Sequence, residues 1–162
     1  MASTTPRTRE DARRRERAGA MLQMALDHRH LPDFLPGEPS GVAGGATAGR
    51  LVPPFLADLA ALYRVRRWTP EEFVRAYVEG ALSAWQPGLR VERGRGRLRV
   101  VAPVCPIAAE AELDPRACQM CRAFHAEAAR RAAGAETEHS GLITRGDAAC
   151  VMDVRLPRPL RT

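Results

Sequence analysis

The sequence predicts an α+β fold in which N-terminal helices precede a ββαββ unit with an antiparallel sheet. Three observations carry that reading. Apolar residues recur at helical spacing between 53 and 85; the period falls to two between 89 and 104 and again after 136; and a helix framed by Asp-Pro and Gly separates the two period-two stretches. With 162 residues and 45% hydrophobic content, the chain suffices for one modest core. Three stretches divide it: a basic arm and Pro/Gly-rich linker over 1–50, a helical segment over 51–87, and a cysteine-bearing ββαββ domain over 88–158.

In chain order, residues 1–17 hold six arginines against three acids and read as a solvated arm. "LPDFLPGEPSGVAGGATA", Leu31 to Ala48, accumulates Pro, Gly and small residues that hold a helix poorly, so a linker or covering loop is expected. A helix is expected from Pro53, where Phe55, Leu56, Leu59, Leu62 and Tyr63 recur at helical spacing. A second opens with Thr69 as N-cap, Pro70 at its first position and Glu71 and Glu72 in its first turn. Its apolar stripe is Phe73, Tyr77, Val78, Ala81, Leu82 and Trp85, ended by "QPG" at 86–88. "GRG" at 94–96 reads as a hairpin turn that sets Leu89 and Val91 against Leu98 and Val100. After Cys105 a loop is expected, then a helix capped by Asp114, opened by Pro115 and stopped by Gly134. "TEHSGLITR" and "ACVMDVRL" form a last hairpin turned at Gly146 and Asp147.

The net charge of +6 comes from 25 basic residues that are all arginine, a bias that reads first as coding composition. The arginines at 90, 93, 95, 97 and 99 alternate with Leu and Val and read as the solvent face of a hairpin. One helix-turn-helix candidate exists, 56–85, but its second helix spends its faces on apolar residues where a reading helix needs polar ones. Nucleic acid is therefore not an expected partner. Neither a signal-peptide h-region nor an apolar run of eighteen residues occurs, so no membrane partner is expected and the expected compartment is the cytoplasm. No nucleophile elbow, phosphate loop or dinucleotide fingerprint is present, and no catalytic residue is assigned.

Cys105, Cys118, Cys121 and Cys150 are the chemistry-bearing residues. Cys105 leaves a strand directly before Pro106, which keeps its backbone extended. Cys118 falls near a helix start, where the dipole favours a thiolate, and Cys121 follows on the same face. Cys150 opens the last strand. In a reducing compartment structural disulfides are rare, which moves four thiols toward metal binding, redox chemistry or burial. An all-cysteine set suits an iron–sulfur cluster, with zinc as the alternative, and the single tight pair fits the cluster better than a zinc ribbon. His125 shares the helix face of Cys118 and Cys121, as a second-shell donor or alternative ligand. His28, His30 and His139 read as exposed, Glu110 and Glu112 as solvated loop residues, and Asp147 as turn chemistry.

"VAPVCPIAAEAELDPRACQMCRAFHAEAARRAAG" followed by "SGLITRGDAACVMDVRL" resembles the cysteine-bearing half of a superfamily of ligand-sensing modules. It includes the 4-vinyl reductase domain, the sensor half of SufR-type iron–sulfur repressors, and L-2-amino-thiazoline-4-carboxylic acid hydrolase-like proteins. The resemblance covers Val101 to Leu156 at the level of pattern. It implies Cys105, Cys118 and Cys150 as cluster or ligand-site residues, with Cys121 as the candidate fourth ligand, a [4Fe-4S] cluster being one such occupant. SufR-type repressors carry a winged helix that this chain lacks, so the resemblance implies a sensor without its usual output.

Three functions compete on this reading. The leading one is a metal-binding, iron–sulfur or small-ligand sensor that signals to a regulatory protein partner. The second is a thiol-dependent enzyme resembling the hydrolases, with Cys118 activated beside His125; the third is a structural zinc-binding or nucleic-acid accessory protein. The wide apolar stripe of the helix at 70–85 predicts a homodimer through helices between 53 and 86, unless the preceding helix covers it.

Overall fold

The computed structural model describes residues 9–27, 43–158 and 160. His28, His30 and most of the expected linker lie outside the described residues. The fold is α+β, as expected. Helix α1 (Arg9–Ala25) is followed by α2 (Ala43–Tyr63) and by α3, a continuous helix over 70–85. The strands β1 (Arg90–Gly94) and β2 (Arg97–Ala102) come next, then α4 (Ala108–Leu113), α5 (Arg116–Ala133), β3 (Glu136–Gly141) and β4 (Cys150–Arg155).

Residues 9–17, expected in a solvated arm, are helical, though none of them is buried. The second half of α1 turns Ala18, Leu22 and, just past its end, Leu26 into the core. Helix α2 opens ten residues ahead of Pro53, inside the stretch expected to be linker. Burial explains the difference: Thr47, Ala48 and Val52 are buried, and packing of that face overrides the low propensity of Gly49, Pro53 and Pro54.

Helix α3 starts as its sequence dictates. Thr69 Oγ1 accepts the Glu72 N–H at 3.2 Å and Pro70 occupies the first position. From Phe73 to Leu82 the helix is π-wound, an uncommon geometry often found near functional sites. Its stripe is fully internal: Phe73, Tyr77, Val78 and Ala81 have no exposure. Phe73 stacks on Tyr77 at 5.1 Å, and Phe55 of α2 meets Tyr77 edge-on at 6.0 Å and Phe124 of α5 at 5.3 Å. Such pairs each add about 0.5–1.5 kcal/mol beyond burial. The stripe that motivated a homodimer is thus covered within the chain by the alternative packing, and Met24, Val104 and Leu113 are the large apolar residues left exposed among those described.

The four strands form one antiparallel sheet in the order β1-β2-β4-β3. Around a turn where Gly96 takes φ 70°, Val91 pairs with Val100 as expected, but Leu98 pairs with Arg93 and Leu89 lies just before the strand. Leu98, Val100, Ala102, Met152 and Val154 point inward, while Arg97, Arg99 and Arg155 stay exposed, so the basic alternation is a solvent face. Helix α5 lies between that inner face and α2, and a single core runs from α1 to β4. Asp114 Oδ1 accepts the Arg116 N–H at 3.0 Å, and Gly134 ends α5 at φ 61°, both in their expected places.

Two connections differ from expectation. The loop after Cys105 contains α4, so Glu110 and Glu112 sit on a short helix. Strand β3 stops at Gly141 and a 3-10 turn over Ile143–Arg145 follows, so the last connection is longer than a tight Gly-Asp turn. Asp147 is turn chemistry all the same: its Oδ2 accepts the Leu142 N–H at 2.7 Å. Gly141 is required there, because a Cβ would stand 2.9 Å from the Ala149 carbonyl oxygen.

Candidate functional site: a thiol-lined cavity

Three segments bring the cysteines to one place. Cys105 lies in the bend after β2, Cys118 and Cys121 are one turn apart near the start of α5, and Cys150 opens β4 opposite Ala102. All four are free thiols lining a single narrow cleft of about 40 Å³, partly open to solvent. Leu82 and Trp85 from α3, Val100 and Ala102 from β2, and Met152 from β4 supply its apolar walls. The start of β4 fixes Cys150 and the bend after β2 carries Cys105; helical spacing puts Cys118 and Cys121 on one face.

The thiols differ sharply in acidity. The neighbouring Cys105 thiol holds the Cys150 thiol down at about 6 against the opposing effect of burial. The Ile143 N–H adds a second donor, 3.4 Å from Cys150 Sγ. Cys105 keeps its proton and is pushed far up, first by Cys150 and then by burial. Burial likewise pushes the Cys121 thiol far up, with the charges of Cys118 and Cys150 adding to it. Cys118 Sγ lies 3.4 Å from Thr144 Oγ1. The lowered thiol of the site is Cys150, because hydrogen-bond donors converge on that sulfur.

His125 is buried and sits between two partners. Tyr77 Oη bonds its Nδ1, and Cys121 Sγ lies 3.2 Å from its Nε2. Burial lowers His125 to about 3, so the ring is neutral at pH 7. Tyr77 is held above its ordinary range by burial and stays protonated. A buried O–H without an acceptor costs more than a buried S–H, so Tyr77 donates to Nδ1 and the Nε2–H points at Cys121. His125 is thus a donor behind Cys121, the second-shell role read from the helix spacing.

Sequence reasoning misplaced one residue and missed two. His139, expected at an exposed edge, lines the cavity, and burial lowers it to about 4. The inward face of β3 carries Thr137, His139 and Gly141, too polar for its alternation to reveal which side is covered. Tyr77 was legible only as part of an apolar stripe. Arg122 also lines the cavity and does have a signal in the sequence: it stands four residues after Cys118, hence on the same helix face.

The donor set tests what could bind. Zinc at about 2.3 Å from each sulfur requires sulfurs about 3.8 Å apart. Among the described residues no three His, Cys, Asp or Glu side chains converge on one ion in that way. Among the described residues, no helix is long and apolar enough to cross a membrane.

No family model matches the chain, and no curated protein matches it. It is similar to a crystal structure of trafficking protein particle complex subunit 3 from Naegleria fowleri covalently bound to palmitic acid, with a TM-score of 0.48 and 13% identity over 93% of this chain and 99% of that one. A likeness this distant carries no argument about ligand or partner.

Proposed function

We propose that the chain is a sensor module whose cavity binds an iron–sulfur cluster through Cys105, Cys118, Cys121 and Cys150. The observation that carries this reading is that all four cysteines, from separate parts of the sequence, line one cavity. The resemblance to the superfamily of the 4-vinyl reductase domain and SufR-type sensors supports it. A bound cluster would supply redox or oxygen sensitivity; the protein's part is to hold four thiolates, with His125 donating toward Cys121 and the apolar walls limiting water. In this reading the protein works in the reducing cytoplasm and passes its state to a regulatory protein or a second copy of itself.

Anaerobic purification, reconstitution, and iron and sulfide analysis test the reading. Bound iron with visible charge-transfer absorption is expected, with sharp losses in Cys105→Ser, Cys118→Ser and Cys150→Ser. Colourless protein without iron would overturn it, and zinc in iron's place would return the site to the zinc alternative.

A second reading, a thiol-dependent enzyme acting on a small molecule, is favoured by the lowered Cys150 thiol in the cleft. Turnover lost in Cys150→Ser but kept in iron-free protein would select it.

A further inference from the structure

Arg122 has no place in the reading so far. Among the described residues it is the one arginine lining the cavity, and no Asp or Glu lines it. Its Nε is buried without a hydrogen-bond partner among the described residues. Its charge is felt at both neighbouring groups, where it acts to lower Cys121 and His139. Asp153, whose charge reaches His139, is engaged elsewhere: it accepts from Ser140 at 2.8 Å and pairs with Arg99 at 3.7 Å. Both cavity histidines are neutral at pH 7, so they offer no competing positive charge. A guanidinium whose Nε is shut off from water without a partner is favoured by an anion beside it, and its fork geometry suits carboxylate oxygens or a cluster's negative sulfurs.

We propose that Arg122 is the anion-recognising residue of this cavity: its occupant presents a negative charge to the guanidinium. The charge has two chemical sources, a thiolate-held iron–sulfur cluster or the carboxylate of a small, mainly apolar organic molecule. The inference rests on the cavity being the binding site, and it holds whether or not a cluster is the occupant.

Wild type, Arg122→Gln and Arg122→Lys separate the cases, Lys keeping the charge if Gln also perturbs folding. In the first arm, metal-free protein is titrated with benzoate and with its neutral counterpart benzamide, read by the fluorescence of Trp85 in the cavity wall. Benzoate binding that weakens at least about tenfold in Arg122→Gln and is largely kept in Arg122→Lys, with benzamide indifferent to both, assigns the organic anion. In the second arm, reconstituted proteins are compared by iron content and midpoint potential. A potential displaced to more negative values in Arg122→Gln and restored in Arg122→Lys assigns the cluster, since a nearby cation favours the reduced, more negative state.

Charge-independent behaviour in both arms overturns the inference even where wild type holds a cluster. Wild type that takes neither benzoate nor a cluster overturns it too. Benzoate recognition in protein that never accepts iron keeps the inference and removes the cluster reading.

Discussion

Cys150 and Cys121 line the same cavity, yet one thiol is held at about 6 and the other far above its ordinary range. The difference lies in what the backbone leaves free around each sulfur. Cys150 stands at the first residue of β4, beside a turn whose Ile143 N–H has no ladder partner and reaches the sulfur, and Cys105 adds its S–H. Cys121 lies inside α5, where the helix consumes the neighbouring N–H groups, so desolvation acts almost unopposed. One residue type thus serves as a reactive thiolate at a strand end and as a protonated core group on a helix.

Alkylation breaks or confirms that contrast most directly. With metal-free protein and iodoacetamide at pH 7, Cys150 should be labelled at least about a hundredfold faster than Cys121. Thiolate fraction changes tenfold per unit of acidity, while a slope of about 0.4–0.5 returns less than half of that as nucleophilicity. The Cys150 rate should rise through pH about 6 and then flatten, as peptide mass spectrometry can follow. Equal rates, or labelling of Cys121 first, would show that the two ends do not differ.

The histidine side of the cavity makes a prediction about stability. His125 is lowered to about 3 and His139 to about 4, both first by burial. Below the ordinary histidine range the unfolded chain takes up protons that the folded chain refuses. Stability is therefore fully present above pH about 6.5 and falls with pH until the folded values are reached. From pH 7 to 5 the loss should be about 2–4 kcal/mol, seen as a lower urea midpoint at unchanged slope. Glu127, lowered to about 2 chiefly by its bond to Arg130, falls outside that window, whereas Cys150, held at about 6, falls inside it and adds to the loss. His139→Gln should remove roughly a third of the total drop; a flat profile from 7 to 5 would mean that neither ring is buried neutral.

Returning to the strand end, Cys105→Ala removes the largest cause of the Cys150 shift. The midpoint of the Cys150 alkylation profile should climb by about one pH unit or more toward an ordinary thiol. An unmoved midpoint would leave the Ile143 N–H as the whole explanation.

Most of what positions this site was legible from period and punctuation. Alternation over 90–102 fixed the Val91 and Val100 pairing, and Thr69-Pro70, Asp114 and Gly134 marked helix ends where the chain has them. Those signals are local, and so are the interactions they report. What escaped depends on contacts distant in sequence. Helix α2 begins at Ala43 because Thr47, Ala48 and Val52 find a core, which no reading of a Gly- and Pro-rich stretch supplies. The four cysteines could be grouped from their spacing, but their opposite acidities follow from a turn after β3 and a bond across the cavity. Tyr77 escaped for the same reason: its partner is 48 residues away.

The smallest expected effect tests the helix end. Tyr77→Phe keeps the ring in its aromatic cluster and deletes only the hydroxyl that donates to His125 Nδ1. Losing one buried neutral hydrogen bond costs about 1–1.5 kcal/mol, a fall of roughly 2–6 °C in thermal midpoint for a chain of this size. Because packing loss alone could give a similar fall, the decisive reading is the tautomer. In wild type, nitrogen-15 shifts of His125 should show a protonated Nε2 and a bare Nδ1, since that arrangement gives the Tyr77 O–H an acceptor. In Tyr77→Phe the constraint is gone, and Nδ1–H should become populated as the ring turns to accept from the Cys121 thiol. The Cys150 alkylation profile should not move, since its donors are Cys105 and Ile143. A wild-type ring protonated at Nδ1 would reverse the direction of the relay and leave Cys121 as the donor, erasing the reason for treating His125 as support for a metal-bound thiolate.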